Sequence, residues 1–436
     1  MSPVHSIRGV CILLFAAAAV GSLSGCLQYH AAPLSPAHSA AQLTDRRLSG
    51  RTWTLAALQD EAARHHPDVA VAHAQYESAR AALVTAGERP NPTVSVLPQV
   101  VTPFKTWTAG TYSVDFDWTF ETAGKRSRRL DLARAQANTA AANVIAAEWK
   151  VRGAVRSAFL DLYAAEKRVA LANEVNGKQA EVLKSIDGRI KAGAAALTES
   201  AQPRLLAAQL RLQGADATKA QVLARASLAE ALGMSRAGVE GAKFSFAAFE
   251  STPSLGRSAR RAAMTHRADV IAGLSDYAAA EATLRLEIAK QYPDVHLNPG
   301  YQLDAGENKW ALGVGLTLPI LNQNKGAIGE AEAKRKEAAA KFLAVQAKVL
   351  AECDRAAAGV SAARAKLATA DALLAEEDRQ IESYHRIAAA GEGDKLAVLS
   401  AEVERETTRI ARLDAYVELQ AALGALELAT ETKLGK

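Results

Sequence analysis

Asp115 and Asp117, two carboxylates two positions apart, are the residues of this chain whose placement first suggests chemistry. They lie within Tyr112–Phe120, where Tyr112, Val114, Phe116, Trp118 and Phe120 alternate with Ser113, Asp115, Asp117 and Thr119. Period two is that of a β-strand, so both acids share its polar face. A packed core does not accept unpaired carboxylates, so that face meets water. In a closed pore such acids form rings that favour cations; on any other wall they only solvate it. His65, His66 and His73 are of a type that binds transition metals, but they read equally as side chains on a helix surface, and no metal site is assigned. Beyond Met1 the only methionines are Met234 and Met264, which excludes a methionine ladder for copper. The chain has no Walker loop, nucleophile elbow or HExxH motif, so neither enzymatic activity nor a cofactor is expected. Glu376-Glu377-Asp378 read as a solvated helix face.

The 436-residue chain carries a net charge of +5 with no basic cluster, which argues against nucleic acid as a partner. Aromatic residues are sparse at 5%, and alanine dominates the middle, a composition that suits close helix–helix packing. The N-terminus has the parts of a signal peptide: Arg8, an apolar Val10–Val20, then Leu23-Ser24-Gly25-Cys26. The last four resemble the bacterial lipobox, which implies cleavage before Cys26 and acylation of that cysteine. An ordinary signal peptide with an incidental cysteine is the alternative. The apolar run is too short to span a membrane as a helix. Cys11 lies in the signal and Cys353 stands alone in a helix, so no disulfide is expected.

The organisation follows from where periodicity switches. Residues 1–25 are the signal, and 26–51 are a Pro/Ser/Ala-rich tether. A first structural repeat occupies 52–232, with strands at about 93–100 and 112–120. Residues 233–254 are a linker. A second repeat fills 255–430, with strands at about 295–303 and 310–318, and 431–436 form a tail. Asp68, Tyr76 and Pro92 recur as Asp269, Tyr277 and Pro293 at one constant offset, and Gly124-Lys125-Arg126 is echoed by Asn324-Lys325-Gly326. The chain is therefore read as a duplication, each half being two short helices, a β-hairpin, a long helix and a return helix.

The long helix of the first half is expected over Lys125–Asp187, about 63 residues and roughly 95 Å. The short helices of that half add up to nearly the same length, so they fit end to end along it as an antiparallel bundle. The four strands put their apolar residues on one face, which must pack on another sheet or meet lipid. The bundle has no spare apolar mass to cover it. In lipid a sheet must close, and one chain supplies four strands. Two chains give a barrel narrow enough to fill with side chains, and three give twelve strands, so a homotrimer is expected.

The lipobox, Pro90-Asn91-Pro92, the Glu121-Thr122-Ala123-Gly124-Lys125-Arg126 junction, and Leu318-Pro319-Ile320-Leu321-Asn322 with Asn324-Lys325-Gly326 together resemble the TolC-like outer-membrane efflux factors. The junction looks most like the CzcC branch, which serves heavy-metal pumps. The resemblance covers about residues 52–430. It implies a mainly α fold with a membrane β-barrel: a trimer with a twelve-stranded barrel in the outer membrane and a helical tunnel in the periplasm. It implies a lipid-anchored exit duct that docks on a periplasmic adaptor and an inner-membrane pump, RND type, and passes drugs or metal cations. The gate of such tunnels lies at the helix tips and is acidic, which makes Glu392 and Asp394 candidates. Asp394 reads equally as the N-cap of the return helix. Arg189 and Lys191 on the other tip are candidates to pair with these acids or to face the adaptor. The alternative reading is a periplasmic adaptor-type coiled-coil protein, which would carry one helical hairpin rather than a duplicated unit.

Overall fold

A computed structural model describes residues 29–99, 110–253, 257–304, 306–390 and 392–433. Cys11, Cys26, most of the expected 102–110 turn and Gly391 lie outside the described residues. The chain divides into two units, residues 1–46 and 47–436. The first holds helix α1, Pro36–Asp45, whose N-cap Ser35 accepts the His38 N–H. The expected tether is thus helical in part. A serine cap followed by proline at the first helical position is a strong start signal, which the Pro/Ser/Ala composition concealed.

The second unit begins with β1, Thr52–Thr54, then α2, Leu55–His65, α3, Pro67–Gly87, and the hairpin β2, Thr93–Gln99, and β3, Thr111–Phe120. Helix α4, Lys125–Lys191, is followed by a 3₁₀ turn at Leu197–Ser200 and α5, Ala201–Ala231. Next come α6, Arg236–Val239, β4, Lys243–Ser245, and a 3₁₀ turn at Ala247–Phe249. The second half comprises α7, Arg257–His266, α8, Ala268–Ala289, β5, Val295–Asp304, β6, Glu307–Leu316, α9, Lys325–Ala389, and α10, Lys395–Thr430.

Both halves thus run short helices, hairpin, long helix, return helix. Helix α4 has 67 residues, about 100 Å at 1.5 Å per residue. It runs past Asp187 because one glycine costs only about 1 kcal/mol in a helix and does not stop it. It ends where Gly193 takes φ +73°, with the Gly193 N–H on the Ile190 carbonyl and the Ala194 N–H on that of Arg189. Helices α3 and α5 both lie along α4. They meet end to end at Gly233, where a Cβ would come within 2.6 Å of Pro67. Pro67 itself opens α3, with the His66 ring accepting the Asp68 N–H at 3.1 Å. In the second half α8 and α10 flank α9, while α8 and α10 also pack on α4.

The expected linker is not a linker. β4 pairs in parallel with β1, Trp53 opposite Phe244, and the Leu48 N–H donates to the Gly238 carbonyl at 2.8 Å. Thr52-Trp53-Thr54 is therefore a strand first, while Thr54 still caps α2 through the Ala57 N–H. Around this ladder Phe159 is fully buried, stacked on Phe246 at 4.8 Å and tilted against Phe249 at 5.7 Å, with Leu58, Leu162, Leu228 and Leu232. Elsewhere the seams are built largely on alanine, valine and leucine.

Strands β2, β3, β5 and β6 form one antiparallel sheet in that order. Its register places Val94 opposite Phe116, Trp118 opposite Leu297, Leu297 opposite Val314, and Tyr301 opposite Trp310. One face therefore carries every one of those side chains, and the other carries Ser95, Asp115, Asp117, Thr119, His296, Gln302 and Lys309. The second hairpin is tighter than its periodicity suggests: Asp304 pairs with Glu307, so β6 starts before Trp310. It ends at Leu316 because Leu316 pairs with Val295, the first residue of β5.

Candidate functional site

Three places gather functional side chains: the polar sheet face, the junction from strand to helix, and the helix tips. On the sheet, Asp115 leans over Gly300, where a Cβ would collide with its carboxylate. Asp117 lies 3.1 Å from the Nδ1 of His296, which is also 3.3 Å from the Thr119 hydroxyl. Nearer the hairpin tip Lys309 donates to Asp304 at 2.6 Å, and Thr111 donates to the other Asp304 oxygen at 2.9 Å. The two predicted acids do share a face, but it is not purely acidic: His296 and Lys309 temper it. His296 stands at a polar position of its strand, so alternation could have flagged it, but only the register reveals Asp117 as its partner.

The opposite face is open. Phe116, Trp118, Phe120, Leu312, Val314 and Leu316 are exposed, Leu312 by 72%. β2 and β6 each have one neighbour in the sheet, so one edge of each offers unpaired backbone groups.

The Glu121–Arg126 junction is a knot of charge-assisted bonds. Lys125 Nζ, almost buried, donates to Asp294 at 2.7 Å and to the Tyr292 carbonyl at 2.8 Å. The Thr122 N–H donates to Asp294 at 2.9 Å, and the Thr122 hydroxyl to the Pro293 carbonyl at 2.6 Å. Burial pushes the Asp294 carboxyl up, but Lys125 and the Thr122 N–H outweigh it and hold it below the usual carboxylate range. Arg129 grips Glu121 with both guanidinium nitrogens and reaches the Glu88 carbonyl at 3.1 Å. Gly124 at φ +70° and Asn324 at φ +58° take the same left-handed step into α4 and α9.

At the tips, Asp394 does two things. Its Oδ1 accepts the Leu396 N–H at 2.9 Å, capping α10, and its Oδ2 accepts Arg189 at 2.9 Å, tying α10 to the end of α4. The cap and the cross-helix contact therefore coexist. Glu392 and Lys191 are exposed, and Arg189 chooses Asp394 rather than Glu392. Beneath the tips Val175, Val182, Ile186, Leu210, Leu399 and Val403 pack together.

The three histidines are not brought together: His65 lies 3.1 Å from Glu61, His66 caps α3, and His73 is exposed. Among the described residues no group of three or more His, Cys, Asp or Glu could hold a metal. Cys353 is buried, and its thiol donates to the Ala429 carbonyl. Nothing local in the sequence marks the buried polar groups between helices, among them Arg267, bound to Asp269, Glu352 and the Ala429 carbonyl, and Arg156. Arg156, on α4, lies 3.6 Å from Glu427, 3.5 Å from the Gln420 amide oxygen and over the Phe249 ring. Gly424 makes room for it: a Cβ there would lie 2.8 Å from Arg156 Nε.

The profile of the outer membrane efflux protein family matches residues 58–234 and 259–432 of this chain. The cobalt-zinc-cadmium resistance protein CzcC of Cupriavidus metallidurans is 24% identical over 292 residues, 66% of this chain and 68% of that protein. The outer membrane protein VceC of Vibrio cholerae superposes with a TM-score of 0.70 at 20% identity, covering 87% of this chain and 96% of its own. CusC superposes with a TM-score of 0.73 at 16% identity, covering 94% and 99%.

The Leu396 N–H, and after it Arg189, hold the Asp394 carboxyl below its usual range against a weaker push from burial. A depressed carboxylate contributes stability above its unfolded pKa of about 3.9, and that contribution is lost as pH falls through the lower folded value. The pair is half exposed, so the bridge is worth at most about 1 kcal/mol. Arg189→Ala should therefore speed amide exchange in the first turn of α10 by no more than about fivefold at pH 7. The two proteins should exchange alike once Asp394 is protonated. Equal protection at pH 7 would show that the bridge contributes nothing.

Proposed function

Because this chain belongs to the outer membrane efflux protein family, we propose that three copies close their sheets into a twelve-stranded barrel and serve as the exit duct of a tripartite efflux pump. The observation that carries this is the sheet: four strands, one face apolar but for Asn308 near the hairpin tip, open, and among the described residues an edge at each side without a neighbour. In hydrocarbon each unpaired backbone group costs several kcal/mol, so such a sheet needs another strand on both edges. β6 of one copy against β2 of the next supplies it. The polar face then lines the lumen, where three copies of Asp115 and Asp117 favour cations while His296 and Lys309 limit the charge. Long helices α4 and α9, with their flanking helices, form the periplasmic tunnel. A periplasmic adaptor and an inner-membrane pump of RND type are the proposed partners, with Arg189 and Lys191 offered at the tips. The adaptor-type alternative fails on the duplication, since the family match covers both halves. Acylation of Cys26 would anchor the mature chain to the same membrane.

Heavy-metal cations are the proposed cargo, supported by the likeness to a cobalt-zinc-cadmium resistance protein. The duct itself need not bind them, because selection belongs to the pump. Glu392 and Asp394 are the proposed gate, with Asp394 held by Arg189 in the resting state.

Leu312→Arg places a charge at the middle of the apolar face and should cost about 2–4 kcal/mol at the bilayer midplane, read as loss of detergent-resistant trimer. Undiminished trimer yield would rule out lipid at that face. In planar bilayers, Arg189→Ala and Asp394→Ala should each raise single-channel conductance. Unchanged conductance in both would remove the bridge from gating. Radiolabelled palmitate should be incorporated by the parent and lost in Cys26→Ala; label retained in the variant would exclude Cys26 as the acylation site.

A further inference from the structure

The two junctions that lead from sheet to long helix are not alike, although they are duplicates. Aligned through Lys125 and Lys325, Trp118 corresponds to Leu318 and Phe120 to Ile320. In the first repeat the strand runs to Phe120, paired with Val295, and only Glu121–Gly124 separate it from the helix. In the second the strand stops at Leu316, and eight residues, 317–324, intervene before α9. Those residues include Leu318, Ile320 and Leu321, exposed by 67%, 78% and 98%. A solvated loop has no use for three such side chains in four positions. The first junction, Glu121–Gly124, carries no large apolar side chain and is tied down by Asp294 and Arg129; in the second only the helix end is tied, Asn324 donating to Glu287 at 2.8 and 2.9 Å.

Sequence spacing and position place these side chains beside the apolar face. Trp310, Leu312, Val314 and Leu316 lie on that face, and Leu318 and Ile320 follow at the same spacing in sequence, in a bend that the Ile320 N–H closes on the Leu318 carbonyl just beyond the strand end. Their counterparts Trp118 and Phe120 lie on that face, their rings 5.0 Å apart. Width is a second argument. From Trp310 to Leu316 is about 20 Å along a strand at 3.3 Å per residue. At a barrel tilt of about 40° that is roughly 15 Å of height, short of the ~25 Å apolar band of outer-membrane barrels. The apolar run then gives way to Asn322, Gln323, Asn324 and the exposed Lys325, a polar and cationic margin suited to phosphate headgroups.

We propose that Leu318–Leu321 is a membrane-inserted segment, extending the lipid-facing surface below the sheet into the acyl–headgroup boundary of the periplasmic leaflet. The proposal rests on the membrane reading of the sheet given above. It assigns the lipid contact of that level to two different devices in each copy: an aromatic strand end at Trp118 and Phe120, and an aliphatic loop at Leu318–Leu321. Lipid is therefore gripped unevenly around the wall, through alternate junctions.

The test uses the full-length acylated protein in phospholipid vesicles. A nitroxide is placed at Ile320→Cys, and in parallel at Leu312→Cys on the middle of the sheet face. The parent, whose Cys353 is buried, sets the background. Relaxation by dissolved oxygen is compared with relaxation by a water-soluble nickel chelate. The expected result is oxygen above nickel at both positions, with the margin smaller at 320 than at 312. Nickel above oxygen at 320 with oxygen above nickel at 312 would place the loop in water and overturn this inference alone. Shielding of 320 from both reagents would mean that another copy covers it, and would also overturn it. Nickel above oxygen at 312 would overturn the membrane reading itself, and this proposal with it.

Discussion

Backbone hydrogen bonding at the sheet edges is the constraint from which the rest of the fold takes its meaning. A four-stranded antiparallel sheet with a predominantly apolar face is not a stable object in water, and in hydrocarbon its two edges are more costly still. Among the described residues no element covers the apolar face, and the strand order leaves β2 and β6 outermost. Each half contributes a hairpin, β3 joins β5 across the repeats, and the two outer edges belong one to each repeat. The long helices inherit their positions from this arrangement, because each follows the second strand of a hairpin, after four residues in the first repeat and eight in the second.

The junction carries that inheritance. A strand and a helix have different radii and directions, so the chain must turn sharply between them. It does so with left-handed residues in each half, Ala123 and Gly124 in the first and Asn324 in the second. At Gly124 the turn is fixed by bonds from both repeats: Lys125 and Thr122 of the first half hold Asp294 of the second. Glu121-Thr122-Ala123-Gly124-Lys125-Arg126 is therefore recognisable as a motif for a mechanical reason. Each of its polar residues except Arg126 locks the two repeats or the strand end, and Arg126 reaches the Gly87 carbonyl at the end of α3.

Much of this was legible in order and little of it in pairing. Alternation identified the four strands, and helix periodicity with proline and glycine identified the helices, because those signals are local. The parallel ladder of Thr52–Thr54 on Lys243–Ser245 was invisible, since its strands are three residues long and nearly two hundred positions apart. For the same reason Phe244, Phe246 and Phe249 read as linker when they surround Phe159 at the heart of the equatorial core. Of the site residues, Asp115 and Asp117 were found because acid on an apolar strand is conspicuous. Their neighbours were not: His296 meets Asp117 through register, and Arg189 meets Asp394 across helices whose ends nothing local aligns. The helix expected over Lys125–Asp187 stops four residues short of Lys191 because Gly188 reads as a break, whereas it is Gly193 that adopts the left-handed backbone at the helix end.

The bonds are also unequal along the bundle. At the junction, buried or half-buried charge-assisted hydrogen bonds, each worth about 1.5–3 kcal/mol, converge within a few residues. Midway, Arg156 is enclosed by Glu427, Gln420 and Phe249, an arrangement that is costly to break because it would leave a buried charge alone. At the tips the exposed Arg189–Asp394 bridge, worth about 0–1 kcal/mol, joins the Lys178–Glu402 pair and the apolar packing of Val182, Ile186, Leu399 and Val403 in holding α4 to α10. The charge-assisted bonds therefore thin out with distance from the sheet, and apolar side chains take over the seam between α4 and α10 because the helix ends there carry Val182, Ile186, Leu399 and Val403 rather than buried charge.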